Sequence, residues 1–128
     1  MGNILDFREL IVWQKSHFFV LEIYSITALF PNDEVFALTS QMRRAAVSVP
    51  ANIAEGFKKR TLANKLNYIS HSEGSLEEVK YYLILAKDLQ YINEEKYESL
   101  NSRSEEVSKL INGYKKTIKS YHQNYPTK

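Results

Sequence analysis

The chain has 128 residues, no cysteine and a formal net charge of +2. This length favours one domain (1–128) with its own core, and the lack of cysteine excludes disulfides, thiolate catalysis and cysteine-ligated metal sites. Its apolar runs are far shorter than the roughly 20 residues of a membrane helix, and no cationic signal sequence opens the chain. We therefore expect a cytoplasmic protein with no membrane partner.

Four helices are predicted, because glycine and proline are rare and no stretch alternates apolar and polar residues as a half-buried strand would. Asp6 and Glu9 form a capping-box pair before the first helix, Thr39 is the expected N-cap of the second, and Asn93 that of the fourth. Short connections favour antiparallel neighbours, so we predict an all-α, up-down four-helix bundle. The predicted helices span residues 7–29, 39–58, 62–90 and 94–122.

The first two helices each carry more apolar surface than one bundle face needs. In the second helix, small residues flank a core face, Pro50 predicts a bend, and Arg44 and Glu55 share the far side. We expect self-association to cover the additional surface. The alternative is a monomer in which these are the central helices of an irregular bundle. The predicted interface consists of Val12, Phe19, Ile23, Ile26, Val47, Pro50, Ala51 and Ala54.

The third and fourth helices show a single repeating pattern. Apolar or small residues recur every three or four positions from Ile69 to Gln90 and from Tyr97 to Tyr121, which predicts one buried seam per helix. The tyrosines of the fourth helix fall on this seam, so we interpret them as packing residues. Gly74 interrupts the third helix, and a close helix contact would explain it.

Positive charge is concentrated between Thr39 and Lys65, where six basic residues accompany Glu55 as the only acid. This segment carries +5 and the remaining chain −3. The six are candidate phosphate contacts. Alternatively, the adjacent arginines brace the bundle or a subunit interface, and the other cations belong to a solvated loop and a helix end. The six residues are Arg43, Arg44, Lys58, Lys59, Arg60 and Lys65.

Catalytic and metal-binding patterns are missing from the sequence. His17, His71 and His122 are scattered, and no Gly-rich phosphate loop, nucleophile elbow or facing set of carboxylates occurs. We therefore expect no enzymatic activity, no metal and no cofactor.

Three segments carry a resemblance to a known family: FRELIVWQKS (Phe7–Ser16), FPNDEVFALTSQMRRAAVSVPANIAEG (Phe30–Gly56) and GSLEEVKYYLILAKDLQY (Gly74–Tyr91). They resemble the bacterial "four helix bundle protein" family, also called 23S rRNA intervening-sequence proteins, over roughly residues 5–122. The resemblance implies an up-down bundle assembled as a ring-shaped homopentamer. It also implies a distant similarity to the accessory protein of diversity-generating retroelements, a basic pentamer that partners a reverse transcriptase and nucleic acid.

Two functions are compatible with this sequence. The first is a homo-oligomeric ribonucleoprotein accessory that holds RNA or DNA on a basic rim, where symmetry multiplies a small patch into a ring of charge. A nucleic-acid enzyme would then be a further partner. The second is a structural module that binds only proteins, itself included.

Overall fold

The computed structural model describes residues 4–125 and contains four α-helices and no strand within that range. Consecutive helices pack against one another and the last packs against the first, so they close an antiparallel four-helix bundle, and the predicted all-α class is confirmed. Short 3-10 helices occupy Phe7–Glu9 and Asn32–Glu34. The α-helices are α1 (Ile11–Thr27), α2 (Leu38–Phe57), α3 (Leu62–Asp88) and α4 (Glu94–Asn124).

Local hydrogen bonds explain most of the helix starts. The Asp6–Glu9 capping box is present, but it caps the short 3-10 helix, because Leu10 is extended and α1 begins only after it. Asn93 caps α4 as predicted, by accepting a hydrogen bond from the Lys96 amide at 2.7 Å. The prediction for Thr39 is wrong: α2 begins one residue earlier, and the buried Thr39 hydroxyl has no partner among the described residues.

Buried residues on α3 and α4 follow the predicted seams, from Ile69 to Ala86 and from Leu100 to Ile118. The seam of α4 fails at its C-terminal end, where the Tyr121 side chain is 40% exposed. Since α4 extends beyond the start of α1, its last turns lack a full set of neighbours to bury them. Tyr121 is therefore a surface residue, and its interpretation as a packing residue is wrong.

Helices α2 and α3 approach each other closely. A Cβ atom added to Gly56 would lie 2.8 Å from the Tyr68 Cβ, so only glycine fits there without movement. Across the same contact, the Ser72 hydroxyl donates to the Val49 carbonyl at 2.7 Å. The close contact predicted at Gly74 is wrong, since nothing lies within 4 Å of a Cβ built there.

The α1–α2 and α3–α4 connections meet at one end of the bundle. The Tyr91 hydroxyl donates to the Glu34 carboxylate at 2.7 Å, and this bond raises the pKa of Tyr91. The Tyr91 ring also packs against Phe30, with ring centroids 5.3 Å apart. We call this the acidic end, after the carboxylates on its connections and on the adjoining helix turns: Asp33, Glu34, Asp88, Glu94 and Glu95.

Candidate nucleic-acid interface

The structure divides the six predicted phosphate contacts between the two ends of the bundle. Arg43 and Arg44 lie in the second turn of α2, and Lys58 follows its last residue. At 1.5 Å per residue, about 21 Å of helix separates Arg44 from Lys58. One small patch on a single chain therefore cannot contain all six, and the charged segment seen in the sequence is not one surface.

Arg43 braces α1 against α2. Its Nε donates to the Thr27 hydroxyl at 2.8 Å and its Nη2 to the Tyr24 carbonyl at 3.3 Å. The guanidinium carbon also lies 4.5 Å from the centroid of the Tyr24 ring, within cation–π range. These contacts support the alternative in which Arg43 braces the bundle and does not serve as a phosphate contact.

Arg44 is exposed and has no hydrogen bond or ion pair within residues 4–125. Both arginines line an open cleft of about 530 Å³, together with Phe36 and Thr39, but only Arg43 is hydrogen-bonded within it. Thus the two adjacent arginines, which look equivalent in the sequence, occupy different environments.

Lys65 is half-buried, and its ammonium group is turned towards the end of α2. Its Nζ donates to the Phe57 carbonyl at 2.8 Å and lies 3.5 Å from the Gly56 carbonyl, which already accepts from the Lys59 amide at 3.1 Å. Burial lowers the pKa of Lys65. Lys65 therefore helps to terminate α2, and its role as a phosphate contact stays a prediction.

Lys58, Lys59 and Arg60 remain exposed in the α2–α3 connection. The Lys58 ammonium reaches the Leu5 carbonyl at 3.5 Å, and that of Lys59 lies 5.2 Å from the Tyr68 ring centroid. No carboxylate within the described part of the chain forms an ion pair with any of the three. The pKa of Asp6 is lowered mainly by its hydrogen bond from Arg8, with a smaller contribution from the charge of Lys58. The three cations otherwise remain open to a further anionic partner.

The second half of α4 adds cations that the sequence analysis did not include. The ion pair between Lys115 Nζ and Glu73 Oε2, at 2.9 Å, aligns α4 with α3. Beyond this pair, α3 runs back about 16 Å to its start, and α4 runs on about 14 Å to Asn124. The start of α3 and the C-terminus of α4 therefore lie at the same end of the bundle as the α2–α3 connection.

Lys116 and Lys119 lie in these last turns of α4, exposed and without an ion pair in the described residues. A signal for them exists in the sequence, since no acid follows Glu106. Its meaning depends on the antiparallel alignment, which places these lysines in the same half of the bundle as the α2–α3 connection, with Lys119 about 10 Å and Lys116 about 15 Å from it along the helix axis. We call the exposed cations of these two segments the basic end: Lys58, Lys59, Arg60, Lys116 and Lys119.

The predicted subunit interface is only partly available at the surface. Four of its eight residues are in the core of a single chain, because α1 turns that stripe towards the other helices; Pro50 of α2 is buried as well. Val47 and Ala51 are exposed and Ala54 is half-buried. The prediction is therefore wrong for Val12, Phe19, Ile23, Ile26 and Pro50.

The outward face of α1 is the one that remains apolar and exposed. Phe18 is 57% exposed and Leu21 52%, and Ile11 is on the same side of the helix. The α1–α2 connection adds Leu29 and Phe36, of which Phe36 is 96% exposed. The additional apolar surface predicted for the first helix is therefore present, on a different face of α1 from the one predicted.

Residues 4–125 contain neither a metal-binding cluster nor a membrane-spanning helix. No group of three or more His, Cys, Asp or Glu side chains is arranged to hold a metal ion. None of the helices in this range is long and apolar enough to cross a membrane.

Comparison with known proteins assigns the chain to a family. The model of the 23S rRNA-intervening sequence protein family matches residues 8–113. A solved structure from Bacteroides thetaiotaomicron VPI-5482, described as a protein with unknown function from the S23 ribosomal protein family, is 30% identical, with a TM-score of 0.76. The match covers 83% of this chain and 96% of that one. Among curated proteins, no match was found. With most of its length matched by that model, the chain belongs to the 23S rRNA-intervening sequence protein family.

Proposed function

We propose that the protein is a non-enzymatic, homo-oligomeric bundle that binds RNA or DNA through its basic end, as an accessory to a ribonucleoprotein or a nucleic-acid enzyme. The observation that carries the proposal is the concentration of exposed cations in one half of the bundle, on the α2–α3 connection and on the last turns of α4. Together these segments present five exposed cations that form no ion pair among the described residues. RNA is the first ligand to test, since the family is named after an intervening sequence of 23S rRNA. Under this proposal the protein works in the cytoplasm.

Phosphate neutralisation provides the binding energy in this proposal. Each lysine or arginine that contacts a phosphate releases condensed counterions, so affinity falls steeply as salt rises. One chain offers a small patch and a net charge of only +2. A ring of copies, such as the pentamer that the family resemblance implies, would repeat the patch and raise the avidity for a polyanion.

Self-association in this proposal uses the outward face of α1 and the tip of the α1–α2 connection. Exposed aromatic and aliphatic side chains such as Phe18, Leu21 and Phe36 are unfavourable in water, and a second copy would cover them. In sedimentation, we expect the wild-type chain to exceed its monomer mass of 14.9 kDa. The variant Phe18→Ser/Leu21→Ser should shift towards that mass, whereas Tyr81→Ser, which removes an exposed ring from α3, should not.

The nucleic-acid experiment reverses the charges of the α2–α3 connection. Lys58→Glu/Lys59→Glu/Arg60→Glu should weaken binding to a structured RNA roughly tenfold or more and reduce the slope of log affinity against log salt by about 2. Binding is measured by electrophoretic shift or fluorescence anisotropy over a salt series. Unchanged affinity and slope would exclude this connection as the site.

A matched control reverses three cations in the other half of the bundle. Arg44→Glu/Lys96→Glu/Arg103→Glu changes the net charge by the same amount, and none of the three belongs to the basic end. Since Arg103 also forms an ion pair with Glu22 at 3.8 Å, circular dichroism checks that this variant is folded. We expect it to retain most of the affinity. If this variant loses binding and the first retains it, the site lies at Arg44 and the acidic end.

The second candidate function is a structural module with protein partners only. The exposed apolar surface of α1 and the 96% exposed Phe36 ring favour it, since such surface serves protein contacts. If wild-type binding to RNA and DNA disappears by roughly physiological salt while the oligomer persists, this second function is favoured.

A further inference from the structure

The last turns of α4 form a shallow groove of about 430 Å³ that combines aromatic, cationic and amide groups. Tyr121 and Tyr125 pack against each other, with ring centroids 4.9 Å apart and planes inclined by 33°. Both rings are open to solvent, at 40% and 65% exposure. The groove is completed by Lys116, Thr117, Ser120 and Asn124.

Such a pair of rings does little for the core, since Tyr125 is mostly in water and Tyr121 keeps 40% of its surface exposed. Two exposed aromatic rings beside a lysine provide what unpaired bases need: π faces to stack on, and a cation for the phosphate next to them. The amide of Asn124 and the hydroxyls of Ser120 and Thr117 can hydrogen-bond to base edges or sugars. In duplex nucleic acid the bases are already stacked and their faces are not accessible.

We propose that this groove is a stacking site for single-stranded nucleic acid. It deepens the proposed function and rests on it: the lysines and arginine of the basic end hold the phosphate backbone, and Tyr121 and Tyr125 receive the bases of an unpaired segment. The ligand is therefore a single strand, or a loop or end within a structured RNA, recognised with little dependence on base identity.

The chain provides an internal comparison for this site. Tyr81 and Tyr82 on α3 also pack against each other, with centroids 5.8 Å apart, and Tyr81 is 58% exposed. Glu78 accepts a bond from the Tyr82 hydroxyl, and Lys80, the cation next to this pair, is already ion-paired with Glu77 and Glu105 at 3.2 and 3.0 Å. Carboxylates repel a phosphate backbone, so the α3 pair should not bind a strand.

The experiment compares a labelled oligouridylate of about 12 nucleotides with an RNA duplex of similar length, using the full chain. Tyr121→Ala/Tyr125→Ala should weaken binding of the single strand roughly 10- to 100-fold and leave duplex binding unchanged. Because no charge is removed, the salt slope should also be unchanged. The matched control Tyr81→Ala should bind both probes as the wild type does.

Two further variants separate stacking from folding. Tyr121→Phe/Tyr125→Phe keeps both rings and should retain single-strand binding, whereas Tyr121→Leu/Tyr125→Leu keeps apolar bulk without a π face and should lose it. Circular dichroism checks that each variant is helical. If the alanine variant does not fold, the phenylalanine and leucine variants decide the question.

Failure of this inference differs from failure of the proposed function. If the tyrosine variants bind the single strand as the wild type does, the groove is not a stacking site, although the basic end can still bind phosphates. If the wild type binds neither probe, both proposals fail. If oligoglutamate displaces the strand as well as unlabelled oligouridylate does, the groove recognises charge alone and the stacking assignment is overturned.

Discussion

The two ends of the bundle use charge in different ways. At the acidic end, charged side chains form part of the fold: Glu34 accepts the Tyr91 hydroxyl, and Arg43 braces α1 against α2 nearby. At the basic end, Lys59, Arg60 and Lys116 extend into solvent without ion pairs in the described residues.

The difference distinguishes charges that serve the fold from charges left for a ligand. A cation with hydrogen bonds to hydroxyls and carbonyls, such as Arg43 or Lys65, has geometric partners and is expected to matter for stability. An exposed cation without a partner contributes little to stability and remains free to neutralise a phosphate. Stability and nucleic-acid binding should therefore respond to different substitutions.

The largest stability effect is expected where α2 packs most closely on α3, just before the basic end. Gly56→Ala should destabilise the fold, since its Cβ would meet the Tyr68 Cβ at 2.8 Å and overpacking costs about 1–3 kcal/mol. Gly74→Ala is the matched control: its site is open, so better helix propensity should stabilise by up to about 1 kcal/mol. Urea unfolding followed by circular dichroism measures both. Equal effects would mean that the α2–α3 contact is loose.

Substitutions of the adjacent Arg43 and Arg44 test whether the cations that stabilise the fold differ from those left free for a ligand. Arg43→Met should lower the free energy of unfolding by about 1–2 kcal/mol, because it removes two hydrogen bonds and a cation–π contact. Arg44→Met should change it by no more than about 0.5 kcal/mol, as expected at an exposed site. Thermal and urea unfolding provide the measurement. If Arg44→Met is the more destabilising of the two, the bracing role belongs to Arg44.

The sequence predicts the parts of this fold that depend on local or repeated patterns. The seams of α3 and α4 repeat over many turns, so their buried residues follow from the helical period. The Asn93 cap depends only on the following three residues. In α1, however, two stripes are apolar, and periodicity alone cannot decide which one faces the core. Neighbouring helices decide it, and they bury Phe19 while leaving Leu21 exposed.

The candidate site is less predictable because its residues are brought together by tertiary alignment. Lys58, Lys59 and Arg60 form a visible run, but Lys116 and Lys119 join them only through the antiparallel arrangement of α3 and α4. Conversely, Lys65 belongs to the charged segment in the sequence, but its contact with the Phe57 carbonyl in the structure ties it to the end of α2. A run of charged residues in the sequence therefore indicates a candidate binding surface. The hydrogen bonds and ion pairs of each side chain then decide which of its cations are free to bind a phosphate.

A smaller effect than those of Gly56→Ala and Arg43→Met is expected at Tyr114, a half-buried tyrosine of α4 close in sequence to the lysines of the basic end. Burial raises the pKa of Tyr114 from 10.0 to about 12. Because the folded-state pKa is the higher one, the stabilisation is fully present below pH 10 and is lost as pH rises from 10 towards 12. After allowance for solvent screening, the loss between about pH 9 and about pH 11 is about 1 kcal/mol.

Tyr114→Phe isolates this contribution, since other tyrosines and lysines also titrate at high pH. Urea unfolding at both pH values should show a smaller loss of stability for the variant than for the wild type, by about 1 kcal/mol. An identical loss would mean that nearby lysines stabilise the phenolate as strongly as burial opposes it. The lysines of the basic end would then influence a half-buried side chain of the bundle. In that case the same cations would affect both stability and ligand binding, and the distinction between the two groups of cations would not hold there.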